Sequence, residues 1–284
     1  MIACALSVLL ATAQAPDSVA DFVAAARAAT ARYQEPSVAL AAGYRRVGPD
    51  FPGMGEHWVN AALLVNGARD VAHPPILEYA LLEGRRTLIG ITYAVLVTNA
   101  VDVPPDFPVP MSAWHFHGGT LDEESFVLNH EGLQHAVATG PRIAVLHAWV
   151  WLENPAGVFT TDNWALPFAR FGLAPPPGVP EASARAAALA GGGDAYVAAL
   201  ARVVGHPDSA GDARLREVLA REREAAGTRL VAARHRGALT RADVEWLAEA
   251  WHRTVTGLGG WLRTDSHGSR LSTDVPQCSP RPRW

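Results

Sequence analysis

Eleven consecutive residues from Arg142 to Leu152 (Arg-Ile-Ala-Val-Leu-His-Ala-Trp-Val-Trp-Leu) leave little choice of structure. Branched and aromatic residues dominate, which favours an extended chain. In a strand, Ile143, Val145, His147, Trp149 and Trp151 share one face, and Ala144, Leu146, Ala148, Val150 and Leu152 share the other. Both faces are apolar, so the strand is expected at the centre of a sheet, covered on both sides. The same placement buries His147. An imidazole without a polar partner there costs on the order of 1–3 kcal/mol, so His147 needs an acceptor or an ion.

Other strands are expected nearby. Ile76 to Leu82 and Thr87 to Val97 are rich in branched and aromatic residues and flank Glu83-Gly84-Arg85-Arg86, which predicts a β-hairpin. A further strand is expected around Ser112 to His117. Before this region, Ser18 and Asp21 form a capping box, with Phe22, Ala26, Ala29 and Tyr33 at helical spacing, predicting a helix over 18–33. Pro36 opens a second short helix through Ala42, closed by Gly43.

After Phe171 to Pro180, a linker with four prolines and two glycines, the composition turns to alanine and arginine. Helices are expected near 181–190, 193–204, 211–225 and 240–256. The last starts with Thr240 and Asp243 as a capping box beside a Leu239/Val244 staple, and carries Val244, Leu247, Trp251 and Val255 in one stripe. The fold class expected is α+β: a β-rich domain, a curled sheet or small barrel, with N-terminal helices, and then a helical C-terminal lobe. The division is 16–171 for the helices and β-rich part, 181–262 for the lobe, and 263–284 for a tail without periodicity.

Composition excludes several activities. All 24 basic residues are arginine, since the chain has no lysine. A phosphate-loop nucleotide site, a Schiff-base lysine and a Ser-x-x-Lys nucleophile are therefore ruled out. A formal charge of −4 offers no positive field for a nucleic acid. Met1 to Ala15 is apolar or small and ends in Ala13-Gln14-Ala15, the form of a signal-peptidase site, so a periplasmic or secreted protein is expected. No basic residue precedes that apolar run, and a misplaced start, an uncleaved apolar end or a plain N-terminal helix are the alternatives. Neither this segment nor any later one is long enough to span a bilayer. Cleavage would leave Cys278 as the sole cysteine and no internal disulfide.

Seven of the eleven histidines fall between Gly53 and Trp151. His115 and His117 are two apart in a strand and so lie on one face; with His147 and His57 they are the candidate metal ligands. An imidazole and oxygen site suits copper, zinc or iron, and also nickel or manganese. Glu78 is the candidate acid or base, or a ligand, because it shares a strand face with Ile76, Ala80 and Leu82. Its alternative is a solvated place at a sheet edge. Glu56 and the run Asp122, Glu123 and Glu124 carry less information, the run being the usual pattern of a solvated face. His130-Glu131 and His135 are five apart, not the four that put both histidines of a zinc-peptidase motif on one helical face.

Three motifs carry a resemblance: Gly53-Met54-Gly55-Glu56-His57-Trp58-Val59-Asn60, Trp114-His115-Phe116-His117, and Leu146-His147-Ala148-Trp149-Val150-Trp151 with Glu153-Asn154-Pro155-Ala156-Gly157-Val158-Phe159. Over roughly residues 30–170 the chain is similar to a family of exported bacterial proteins with recurring histidines and no established activity. A looser likeness to cupin barrels rests on His115, His117, Asp122 and His147, without the turn expected before the last histidine. The function expected is an exported domain that binds one transition-metal ion, as a metalloenzyme for a small molecule walled by Trp58, Trp114, Trp149 and Trp151; taken singly, each of these tryptophans is instead expected to be ordinary core. The alternative is a non-enzymatic protein that closes the same histidines around the metal. A third reading has no metal, with the histidines hydrogen-bonded in a core.

Overall fold

The computed structural model describes residues 18–66, 70–97, 107–109, 113–117, 142–175, 178, 180–192 and 209–262. The proposed leader, Asp122 to Glu124, His130, His135, the helix expected over 193–204 and the tail lie outside them. Ser18 accepts from the Asp21 amide at 3.1 Å and starts α1, Val19–Thr30, which continues as a 3-10 turn, Ala31–Gln34. Helix α2, Pro36–Ala41, stops at Gly43, whose φ of 96° is the left-handed value of a helix end.

A six-stranded sheet follows, β1 (Arg45–Phe51), β2 (Gly55–Val59), β3 (Ile76–Leu82), β4 (Arg85–Val97), β5 (His115–His117) and β6 (Arg142–Ala148), in the order β1-β2-β3-β4-β6-β5. All its pairs are antiparallel, and among the described residues β1 and β5 remain its two edges, so it is an open sheet and not a closed barrel. A short helix, α3 (Ala61–Val65), capped by Asn60, links β2 to β3. The β3/β4 turn is tighter than the sequence suggests. Glu83 and Gly84 alone make it, with φ of 49° and 78°, the mirror-image turn whose twist matches a two-residue hairpin.

The predicted central strand is central, but shorter than expected. β6 pairs with β4 on one side and β5 on the other and ends at Ala148, where the Val150 amide donates back to the Ala148 carbonyl at 2.9 Å. That kink breaks the alternation. Trp149 packs with Met54, Ala80, Ile89 and Leu166 on one side of the sheet, whereas Trp151 donates from its indole to Thr30 of α1 on the other. The expectation that both rings share a face with His147 is therefore corrected for Trp151.

Strand alternation sorts the sheet into two layers. Leu77, Tyr79, Ile91, Tyr93, Val95, Ala144, Leu146 and Ala148 face Phe22, Ala26, Tyr33 and Ala39, in the larger core. The opposite face holds His57, Glu78 and His147 and is partly covered by the segment after β6 and by α4, Leu166–Ala169. Asn154 and Asn163 fasten that segment. Asn154 accepts from the amides of Ala156 and Trp164, and Asn163 donates to the Leu152 carbonyl and accepts from the Ala165 amide.

Helices α5 (Glu181–Gly191), α6 (Ser209–Arg236) and α7 (Arg241–Leu262) form the C-terminal lobe. α6 runs well past the expected end near 225, because Gly227 takes helical geometry and the helix goes on to bury Leu230 and Ala233. Thr240 and Asp243 make the expected box, and Val244, Leu247 and Trp251 are buried. Among the described residues no helix is long and apolar enough to cross a membrane.

Candidate metal centre

Register alone brings the polar residues of the site face together. His57 on β2 is opposite Glu78 on β3, Glu78 is opposite Gly90 on β4, and Thr92, two residues further along β4, is opposite His147 on β6. Directly opposed residues in a ladder share a face, so three neighbouring strand pairs put two imidazoles, a carboxylate and a hydroxyl in one place. One ligand atom from each of His57, Glu78 and His147 lies within 4.8 Å of the others. These three residues are close enough together to hold a metal ion.

The cluster is buried almost throughout. Glu78 is fully buried, His147 is 2% exposed at its side chain, and His57 is 15% exposed and so is the member that meets solvent. Glu78 Oε1 lies 2.5 Å from His147 Nδ1, accepts from the Thr92 hydroxyl at 2.5 Å, and is 3.7 Å from His57 Nε2. Thr92 Oγ1 is also 3.0 Å from His147 Nδ1, so three polar groups crowd one carboxylate oxygen. The other oxygen, Oε2, is buried with no hydrogen-bond partner among the described residues. Trp149 stacks on the His147 ring at 5.8 Å and 16°, and Phe51 meets the His57 ring edge-on at 5.7 Å. Burial holds the His57 imidazole down at about 4, against the pull of the Glu78 charge in the other direction.

Of the residues singled out by sequence, the structure joins His57, His147 and Glu78. The solvated-edge alternative for Glu78 does not hold, because β2 and β4 flank its strand. His115 and His117 are in β5, in register with Val145 and Ile143, which places both positions on the same sheet face as His147. Their side chains lie outside the described ones. Of the four tryptophans expected to wall the site, only Trp149 touches it. Trp58 and Trp114 belong to the core on the far face, since Trp58 directly follows His57 on its strand and so points the other way. Trp58 there donates to Glu56 at 3.1 Å, and Arg86 and Arg46 pair with the same carboxylate. His235 and His252 are exposed on the helical lobe, and His73 is exposed and paired with Asp70 at 2.7 Å. Thr92 was not anticipated. A hydroxyl inside the apolar run Leu88 to Val97 was the available signal of a polar neighbour across the sheet.

No family model, curated protein or solved structure matches the chain.

Proposed function

We propose that the protein binds one divalent transition-metal ion through His57, Glu78 and His147. The observation that carries the reading is the environment of Glu78. It is a fully buried carboxylate whose polar neighbours are two imidazoles and a hydroxyl, with one oxygen unmatched among the described residues. A buried anion needs compensating charge, and a dication between imidazoles supplies it. Two nitrogens and an oxygen suit zinc, copper or iron better than magnesium or calcium. Ligands of a tetrahedral ion about 2.0–2.1 Å from each stand roughly 3.3 Å apart, so the 3.7 Å between His57 and Glu78 is near a coordinating distance. The 2.5 Å contact of Glu78 with His147 is a hydrogen bond, which coordination would replace, with the imidazole offering Nδ1 to the ion and carrying its N–H at Nε2.

With three protein ligands the ion keeps a position for water or a small molecule, the arrangement of a metalloenzyme. The second reading, a closed site for metal handling, takes its support from the register that puts His115 and His117 on the His147 face. Azide added to a cobalt-substituted sample separates the two, since only an open site changes its visible spectrum. The short Glu78 to His147 hydrogen bond also supports a third reading, an ion-free polar cluster inside the sheet.

The apolar stretch ending at Ala13-Gln14-Ala15 supports export, with a mature chain that starts at Pro16. Elemental analysis of protein purified from the periplasm tests the main reading. About one ion per chain is expected, and a chelator should lower the melting point, because an ion held at a thousand times its Kd stabilises by about 4 kcal/mol. Protein without stoichiometric metal after supply of zinc, copper and iron, and with a melting point indifferent to chelator, would sink it.

A further inference from the structure

We propose that Gly90 is a positioning residue for the metal-binding carboxylate, a role that rests on the metal reading above. Gly90 is opposite Glu78 in the ladder, at a β-bulge where Glu78 pairs with Gly90 but Tyr79 with Leu88, leaving Ile89 as the extra residue. The bulge draws in the segment after β6: the Ile89 carbonyl accepts from the amides of both Trp151 and Leu152. The backbone at Gly90 does not have a positive φ, so conformation is not what requires glycine there. Space is. A methyl group on Gly90 would stand 2.6 Å from Glu78 Oε2, 2.8 Å from Trp149 Cε3 and 3.2 Å from the Ala148 carbonyl.

Two of those neighbours belong to the site. Oε2 is the carboxylate oxygen without a hydrogen-bond partner among the described residues, and Trp149 is the ring stacked on His147. The bare backbone of Gly90 thus forms the floor on which the carboxylate lies between His57 and His147, and the rest against which the indole keeps His147 in orientation. Any side chain at 90 turns the carboxylate off its line to the imidazoles or lifts Trp149, and each change separates the ligands. This resembles the work of second-layer groups around metal sites, whose loss costs about 10–100-fold in affinity.

Cobalt titration of the wild type and of Gly90→Ala, followed in the visible d–d bands and by tryptophan fluorescence, tests the assignment. The wild type should take up about one ion, and Gly90→Ala should bind it about tenfold or more weakly, with altered d–d bands, while keeping its circular dichroism. Glu78→Asp withdraws the carboxylate by one methylene, so Glu78→Asp with Gly90→Ala should recover affinity toward that of Glu78→Asp alone. Wild type that takes up no cobalt overturns the metal reading itself. Wild type and Gly90→Ala that bind alike, with the same bands, overturn only the role of Gly90. If Gly90→Ala does not fold, the pair decides: a folded, cobalt-binding pair upholds the role, and a pair that fails to fold or to bind overturns it.

Discussion

Asp243 in the helical lobe and Glu78 in the sheet are both carboxylates removed from water, 3% and 0% exposed. Around Asp243 everything is matched. Arg229 donates to Oδ1 at 2.8 Å, and Oδ2 accepts from Arg236 at 2.6 Å and from the amide and hydroxyl of Thr240 at 2.9 and 2.7 Å. Burial by itself would raise its pKa, but the Thr240 hydrogen bonds and the Arg236 charge outweigh burial and hold the carboxyl down at about 2. The other acids buried among the described residues are treated the same way: Glu56 has Arg46 and Arg86, and Glu222 has Arg221 and Arg253. In Glu56, too, hydrogen bonds from Arg86 and Trp58 overcome burial and lower the pKa. Among the described residues Glu78 has no arginine partner. Among the described residues the buried carboxylates other than Glu78 are matched with guanidinium groups, and Glu78 with imidazoles and a hydroxyl. The difference separates acids matched by arginine from one whose neighbours are imidazoles and a hydroxyl, which is the contrast the metal proposal rests on.

The largest expected effect breaks the comparison at its sheet end. Glu78→Gln keeps the shape and removes the charge, so metal uptake should vanish in calorimetric titration. The metal-free protein should lose less than about 1 kcal/mol, since the glutamine carbonyl still offers an acceptor to Thr92 and His147. A loss of about 3–5 kcal/mol in the metal-free form, the cost of orphaning a buried charge, would instead assign Glu78 to an ion-free pair with His147.

The converse change at the helical end should be intermediate in size. Asp243→Asn removes a charge matched by Arg229 and Arg236, whose side chains are 32% and 47% exposed and so partly screened. A loss of about 2 kcal/mol in urea unfolding is expected, with metal content unchanged. Altered metal uptake in this variant would show that the two regions are coupled and that the contrast between them is too sharp.

The smallest effect sharpens the contrast by pH. The Asp243 carboxyl titrates below its ordinary value of 3.8 in the folded chain, so its contribution is present above that pH and disappears as pH falls toward about 2. After allowance for the exposed arginines, about 1–2 kcal/mol should be lost across that window. Asp243→Asn should flatten the curve there. A wild type and variant with parallel curves would show that the arginine ring contributes nothing.

Local signals were legible where they are self-contained. Ser18 with Asp21 and Thr240 with Asp243 cap their helices as read, because a capping box needs only four consecutive residues. Arg142 to Ala148 is the buried strand that its two apolar faces require, and His147 is buried with the polar partners that such a place demands. Trp151 was misread because alternation continues only as far as the ladder does, and the strand stops at Ala148. The end of α6 was misread because Gly227 weakens a helix only slightly once the following residues are buried in the lobe.

What the sequence by itself determined is the set of parts: helices with their caps, apolar strands, and one histidine, His147, in a strand with two apolar faces. Only the tertiary structure decided who meets whom. The order β2-β3-β4-β6 lays His57, Glu78 and His147 side by side, although they are far apart along the chain. Cross-strand register is set by the packing of whole faces, and a shift of one residue would turn each side chain to the opposite face. No stretch of sequence read on its own contains that information.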